Sequence, residues 1–226
     1  MWALARDAVT VESVPVAGTD ASELPIFELP VVLLPGELLP LHIFEERYKR
    51  MIGQSLDSGE AFGIVFRDES GAARNVGCTA RVAEVLERYD DGRMNIVVAG
   101  ELPFKVLDRF EAPEFPTGDV ELIDLGSDAP GTDEEAARSA RKTFAELLEQ
   151  VSGEPTGADD LADQGAYEIA GRIELPPETK QELLELRSEA ERMRLLDRSL
   201  RAVARVMRRS QAIAEHARSN GRVVKG

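Results

Sequence analysis

A single cysteine, Cys78, stands in a chain of 226 residues. No intrachain disulfide can form and no cysteine-rich metal site can be built, which fits a reducing compartment. Histidine is nearly as scarce, with only His42 and His216. Aromatic residues make up 5% of the chain, leaving little for stacking nucleobases. No apolar run reaches the ~18 residues needed to cross a bilayer. The first 23 residues lack the continuous apolar segment of a secretory signal, so the expected location is cytoplasmic. Neither a Gly-x-x-x-x-Gly-Lys-Ser/Thr phosphate loop nor a Gly-x-Gly-x-x-Gly turn occurs, which removes the familiar nucleotide sites.

Positive charge is also in short supply. The net charge is −15, which argues against a generic nucleic-acid binder because phosphates would be repelled. The deficit is uneven. Residues 189–226 hold ten Lys or Arg against four Asp or Glu, a local +6, leaving −21 on the preceding 188 residues. A basic tail for an acidic partner is one reading. A solvated basic helix lying against the chain's own acidic surface is the favoured one, since salt screens such fields within ~8 Å.

What is present is an ordinary globular composition, 43% hydrophobic and 31% charged, long enough for one or two domains and a real core. Residues 1–23 read as a loose leader, with Val9, Val11 and Val14 as candidates for a short edge strand. From Leu24 the pattern turns to β. Pro25, Pro30, Pro35 and Pro40 recur every five residues, which forbids a helix and suits short strands at Ile26–Leu29 and Val31–Leu34 with a turn at Pro35-Gly36-Glu37. Ile43 to Leu56 reads as a helix with Phe44, Tyr48, Ile52 and Leu56 on one apolar stripe.

Strands are then expected at Phe62–Phe66, Val76–Arg88, Met94–Gly100, Phe104–Phe110 and Val120–Leu125, with Asp90-Asp91-Gly92 as a hairpin turn. Many short strands around one helix suggest a rolled sheet or small barrel. Near Gly126 the grammar changes. Ser127–Thr132 reads as a linker, and Thr132 with Glu135 forms a capping box opening a helix through Val151. A second helix is expected over Leu161–Ile173, Pro176-Pro177 ends it, and Lys180–Leu186 forms a third. The longest helix starts after Ser188, runs to about Ala217 and leaves a frayed end over 219–226. Its seam of Met193, Leu196, Leu200, Val203 and Met207 indicates packing inside a bundle, with a dimer through this helix as the alternative. The division expected is therefore 1–23, 24–126, 127–218 and 219–226.

Chemistry is harder to find. Ser139 and Lys142 match Ser-x-x-Lys, but no companion motif accompanies them and the helix face is polar. His42 with Glu45 and Glu46 is a fragment of a metal site, short of the three or four protein ligands zinc takes, and His216 lies far along the last helix. Cys78 reads as a buried thiol, and Asp90 and Asp91 are explained by the turn. No catalytic, cofactor-binding or metal-ligating residue is assigned, and the substrate-binding residues stay unknown. Leu38, Leu39, Leu41 and Phe44 line either a groove or the core, with core favoured.

The order of segments carries more. LPIFELPVVLLPGELLPLHIFEERYKRMI is followed by FGIVFR, VGCTARVAEV, the turn DGR, MNIVVAGELPFKVLDRF and VELIDL, then LPPETKQELLELRSEAERMRLL. This succession resembles the Lon protease N-terminal, or substrate-binding, domain over roughly residues 24–210. The Pro-Gly-x-x-Leu-Pro-Leu-x-x-Phe-Glu-x-Arg-Tyr core is its most specific part. The resemblance implies an α+β fold, a PUA-like β pseudo-barrel followed by a C-terminal helical bundle with one long helix. In Lon this region helps hold protein substrates and supports hexamer assembly, and it performs no chemistry. The ATPase and Ser-Lys protease modules of Lon have no counterpart in these residues, so a free-standing, non-catalytic member is expected.

The leading expectation is a protein- or peptide-binding module that takes unfolded or extended polypeptide, an adaptor or regulator in proteolysis with a protease partner. Cofactors are not expected. The alternatives are an RNA-binding PUA-like protein, disfavoured by charge, and an enzyme of unrecognised type.

Overall fold

The computed structural model describes residues 22–125 and 134–220. Val9, Val11, Val14, most of the expected leader and linker, and Thr132 of the expected capping box lie outside them. Six strands come first: β1 (Ser22–Leu29), β2 (Leu38–Ile43), β3 (Phe62–Arg67), β4 (Ala73–Arg88), β5 (Met94–Phe110) and β6 (Thr117–Leu122). Helix α1 (Glu46–Ser58) sits between β2 and β3. Helices α2 (Glu134–Ser152), α3 (Ala166–Ala170), α4 (Pro177–Glu185) and α5 (Glu189–Asn220) follow.

The strand order β2-β5-β4-β3-β1-β6 is closed by a further pairing of β5 with β6. Five strands thus form a ring, with β1 and β3 parallel and the other neighbours antiparallel. β2 hangs outside the ring on the first half of β5. The expected rolled sheet is present. Inside the ring a small core gathers Ile26, Val65, Phe104, Val106 and Val120. The Phe104 ring lies so close to two strands that a Cβ at Gly63 or Gly77 would come within 2.5 and 2.8 Å of it, and at Gly77 within 2.4 Å of the Ile64 carbonyl. Glycine is required there by space alone.

Three expectations change. Val31–Leu34 forms no strand, yet Val32, Leu33 and Leu34 are buried, because the Pro-rich segment packs its side chains without pairing its backbone. The helix expected from Ile43 begins at Glu46, since β2 takes Leu38–Ile43 in register with Met94–Ala99 of β5. Phe44 therefore leaves the apolar stripe, which is Tyr48, Met51 and Ile52. β5 is one strand of 17 residues where two were expected. Bulges in β4 and near Val106 absorb the twist that lets β5 serve β2, β4 and β6 in turn.

The helices share a second, larger core with the outer face of the ring and α1. It runs from Leu33, Ile52 and Phe62 to Phe144, Leu183 and Leu196. The expected helix over Leu161–Ile173 is instead a 3-10 turn at Asp159–Leu161 and the five-residue α3. Gly165, extended at the start of α3, donates its N–H to Glu168 Oε2 at 2.7 Å and interrupts the run. Met193, Leu196 and Leu200 of the α5 seam are buried in this core, with Val203 and Met207 packed against it. Arg192, 2% exposed, donates to Glu189 Oε2 and the Leu186 carbonyl at 2.8 Å each and lies over the Tyr167 ring. The other oxygen of Glu189 accepts the Ala166 N–H at 2.6 Å. Two polar contacts tie α4 to the β half: Lys180 pairs with Glu37 in the turn before β2, and Gln181 Nε2 donates to the Val76 carbonyl of β4 at 3.1 Å.

Glycine substitutions test this packing. Gly77→Ala should lower stability in urea unfolding by about 2–3 kcal/mol through overpacking. Gly53→Ala, in α1 with nothing within 4 Å of the new Cβ, should raise it by about 0.5–1 kcal/mol.

Candidate functional site

An apolar surface depression lies where the end of β1, the end of β2 and the start of α1 meet. It holds about 580 Å³ and is walled by Phe27, Leu29 and Pro30 on one side and Leu41, Ile43 and Phe44 on the other. The size is in the range of sites that take small ligands or a few residues of chain. Its floor is aromatic: Phe27 and Tyr48 rings sit 4.0 Å apart, both buried. Its rim is Phe44, 60% exposed, stacked on His42 at 5.9 Å. The core preference for the leucines and Phe44 is thus corrected in part. Leu38 (63% exposed) and Phe44 stand in solvent because β2 is an outermost strand, while Leu39 and Leu41 pack partly against the core.

One end of the groove is charged. Glu28 is gripped by Arg67 and by Arg109 Nη1 at 2.8 Å. Both guanidiniums are braced by carbonyls, Arg67 on Gly71 at 2.7 Å and Arg109 on Arg74 at 2.5 Å. Arg47 pairs with Glu45 at 3.0 Å and lies over the Tyr48 ring at 4.5 Å. Past these arginines a smaller depression of about 110 Å³ runs to Phe110 and Pro116. Burial raises the Tyr48 hydroxyl above its usual pKa, with Arg47 partly opposing it. The charged groups are already paired with one another or with backbone carbonyls. The arrangement suits binding.

The residues examined for chemistry are scattered. His42 Nδ1 meets Asn95 Oδ1 at 2.6 Å; an amide oxygen only accepts, so Nδ1 carries the proton. Asn95 Nδ2 donates in turn to the Tyr89 hydroxyl at 2.9 Å and to Glu87 at 3.2 Å. Glu45 is engaged by Arg47, and Glu46 by Lys49 at 2.7 Å, which holds its carboxyl below the usual range. Among the described residues no group of three or more His, Cys, Asp or Glu is disposed to hold a metal. His216 falls on α5, with its side chain outside the described residues.

Ser139 is a helix–helix contact, bonded to Asp197 at 3.1 Å and accepting from Arg201 at 2.8 Å, while Lys142 points to solvent. Asp91 closes its turn by accepting the Arg93 N–H at 3.1 Å, which lowers its carboxyl pKa. Cys78 is fully buried, and burial pushes its thiol far above the usual range. Glu28, Arg67 and Arg109 escaped the sequence reading because only strand register brings together residues 39 and 81 positions apart.

The groove lies within a stretch that matches a known family. The model for the ATP-dependent protease La (LON) substrate-binding domain matches residues 23–202. The chain belongs to the Lon substrate-binding domain family. It is 27% identical over 188 residues to a Lon protease of Anaeromyxobacter dehalogenans, covering 77% of this chain and 22% of that protein. It is 31% identical over 152 residues to a Lon protease of Paraburkholderia phytofirmans, covering 63% and 18%. It thus spans about a fifth of these Lon proteases, and the matched part is the substrate-binding domain.

Solved Lon domains share the fold. A Lon N-terminal domain protein from Xanthomonas campestris superposes with a TM-score of 0.58 at 21% identity, over 77% of this chain and 96% of that one. The N-terminal domain of Mycobacterium avium complex Lon protease gives 0.62 at 18% identity, over 79% and 98%. The expected α+β fold and family are therefore found. Among the described residues no helix is long and apolar enough to cross a membrane.

The Cys78 environment makes its own prediction. A thiol-specific reagent should label the native protein at least a hundredfold more slowly than the urea-unfolded protein, because only the thiolate reacts and burial suppresses it.

Proposed function

We propose that this chain is a non-catalytic recognition module that holds extended or unfolded polypeptide in the groove between β1, β2 and α1, as an adaptor or regulator for a protease partner. The family supports recognition of polypeptide. The observation that carries the assignment to this place is the exposed Phe44 beside a buried aromatic floor. A large apolar side chain held in solvent at the mouth of an apolar groove is the arrangement expected where a partner's apolar residues dock. The groove's charges are paired with one another, so they set the limits of the site without making it a phosphate track. The strands and helices act as one unit in this reading, because a continuous core joins them.

A permanently unfolded polypeptide, reduced and carboxymethylated lactalbumin carrying a fluorophore, provides the test by fluorescence anisotropy. Phe44→Ser should weaken its binding by about tenfold, the loss of one buried aromatic contact, with the melting temperature unchanged within about 2 °C because Phe44 contributes little to the core. Unaltered binding by this variant would refute the groove assignment. Retardation of a structured RNA with a steep salt dependence would favour the RNA-binding reading instead.

A further inference from the structure

Every strand of the sheet has at least two neighbours except β2, whose single partner among the described residues is β5. The direction of its unused backbone groups follows from the register. Gly100 donates its N–H to the Glu37 carbonyl at 2.9 Å, and the pairing then runs without a shift from Leu38 opposite Ala99 to Ile43 opposite Met94. In an antiparallel pair, residues alternate between facing the partner strand and facing away. Leu39, Leu41 and Ile43 therefore bond to β5, and Leu38, Pro40 and His42 turn their backbone outward. Pro40, with no N–H to give, occupies an outward position, as this phase requires.

The free edge thus offers the N–H and C=O of Leu38, the C=O of Pro40 and the N–H and C=O of His42. No backbone hydrogen bond within the described residues takes these groups. They recur about every 6.6 Å, and all three residues are exposed. The last residues of this strand, Leu41 to Ile43, and Phe44 just after it form one wall of the groove.

We infer that the groove's polypeptide is captured as an added β-strand along the outer edge of β2. The inference rests on the reading given under Proposed function and specifies its mode. A row of alternating donors and acceptors at this spacing is complemented by another extended backbone and by little else. Main-chain pairing supplies affinity without regard to sequence. Phe44 and Leu41 select for apolar side chains on the alternate positions that face the groove. The segments taken are extended, apolar at every second residue and free of proline where they pair.

The probe is a fluorescein-labelled peptide of alternating leucine and threonine, capped by lysines. Three forms are compared: unmodified, and N-methylated on one or the other alternate set of amides. Edge pairing uses one set only, so one methylated form should bind at least tenfold more weakly while the other keeps most of the affinity of the unmodified peptide. On the protein, His42→Pro removes an outward N–H and leaves the β5 pairing intact. Measured against His42→Ala, which loses the same ring but keeps the N–H, it should weaken the unmodified peptide about fivefold, the loss of one backbone hydrogen bond.

Equal binding of both methylated forms, with Phe44→Ser still weakening the unmodified peptide, would overturn strand addition and leave the groove reading standing. Absence of binding by any form, and by the unfolded lactalbumin, would overturn both. A dimer in sedimentation that His42→Pro turns into monomer would show the edge filled by a second copy, and would overturn the inference as well.

Discussion

Closure of the sheet around Phe104 is the constraint on which the rest depends. A ring of five strands removes nearly every open edge, but it can close only if β5 is long enough to bond β4 from Met94 to Lys105 and β6 from Phe104 to Phe110. The strand's first half is then left with a second side to fill, and β2 fills it. The bulges along β4 and near Val106 are the local distortions that turn one strand through this double duty. Gly63 and Gly77 give up side chains so that the Phe104 ring can occupy the narrow interior. The groove is a by-product of this geometry: β1 ends, β2 ends and α1 begins at the same corner, and none of them covers the others.

The helices are held to that frame by burial more than by charge. The larger core passes from the strands through α1 into α2, α4 and α5 without a break, so hydrophobic burial couples the two regions. The few polar links occur where apolar packing alone would leave backbone groups unmet. Gln181 satisfies a β4 carbonyl, and Arg192 satisfies the carbonyl at Leu186 where α4 stops. A buried guanidinium is tolerable because Glu189, a carbonyl and the Tyr167 ring surround it. Tyr167 in turn donates to the Leu183 carbonyl at 3.3 Å, and burial pushes its hydroxyl pKa up to about 12.

Much of this architecture was legible in the residues. An apolar run marked β3, alternation marked β4, Asp90-Asp91-Gly92 marked the hairpin, and the three-four spacing of Met193, Leu196 and Leu200 marked a helix that packs within its own chain. The errors have physical causes. Phe44 fits a helical stripe by spacing, but the pairing of β2 with β5, a contact between residues more than 50 apart, keeps that segment extended. Val31–Leu34 looks like a strand because burial and strand pairing leave the same apolar signature. Gly165 interrupts an otherwise helical pattern over Leu161–Ile173. As for the site, the apolar wall was in view as Leu41 and Phe44, although their exposure was not. The Glu28–Arg67–Arg109 cluster was invisible, since periodicity carries no information about which strands become neighbours.

Pro40 has a consequence for solubility. A strand of six residues with three leucines and one side unpartnered among the described residues would ordinarily invite identical chains to zip together, copy after copy, into a growing fibre. The pyrrolidine ring interrupts that possibility at the middle of the strand: two copies laid side by side would each confront the other with a position that cannot donate. The same ring leaves the flanking positions usable by a shorter or differently phased visitor. An edge with no partner among the described residues thereby discourages identical copies without closing the door to others.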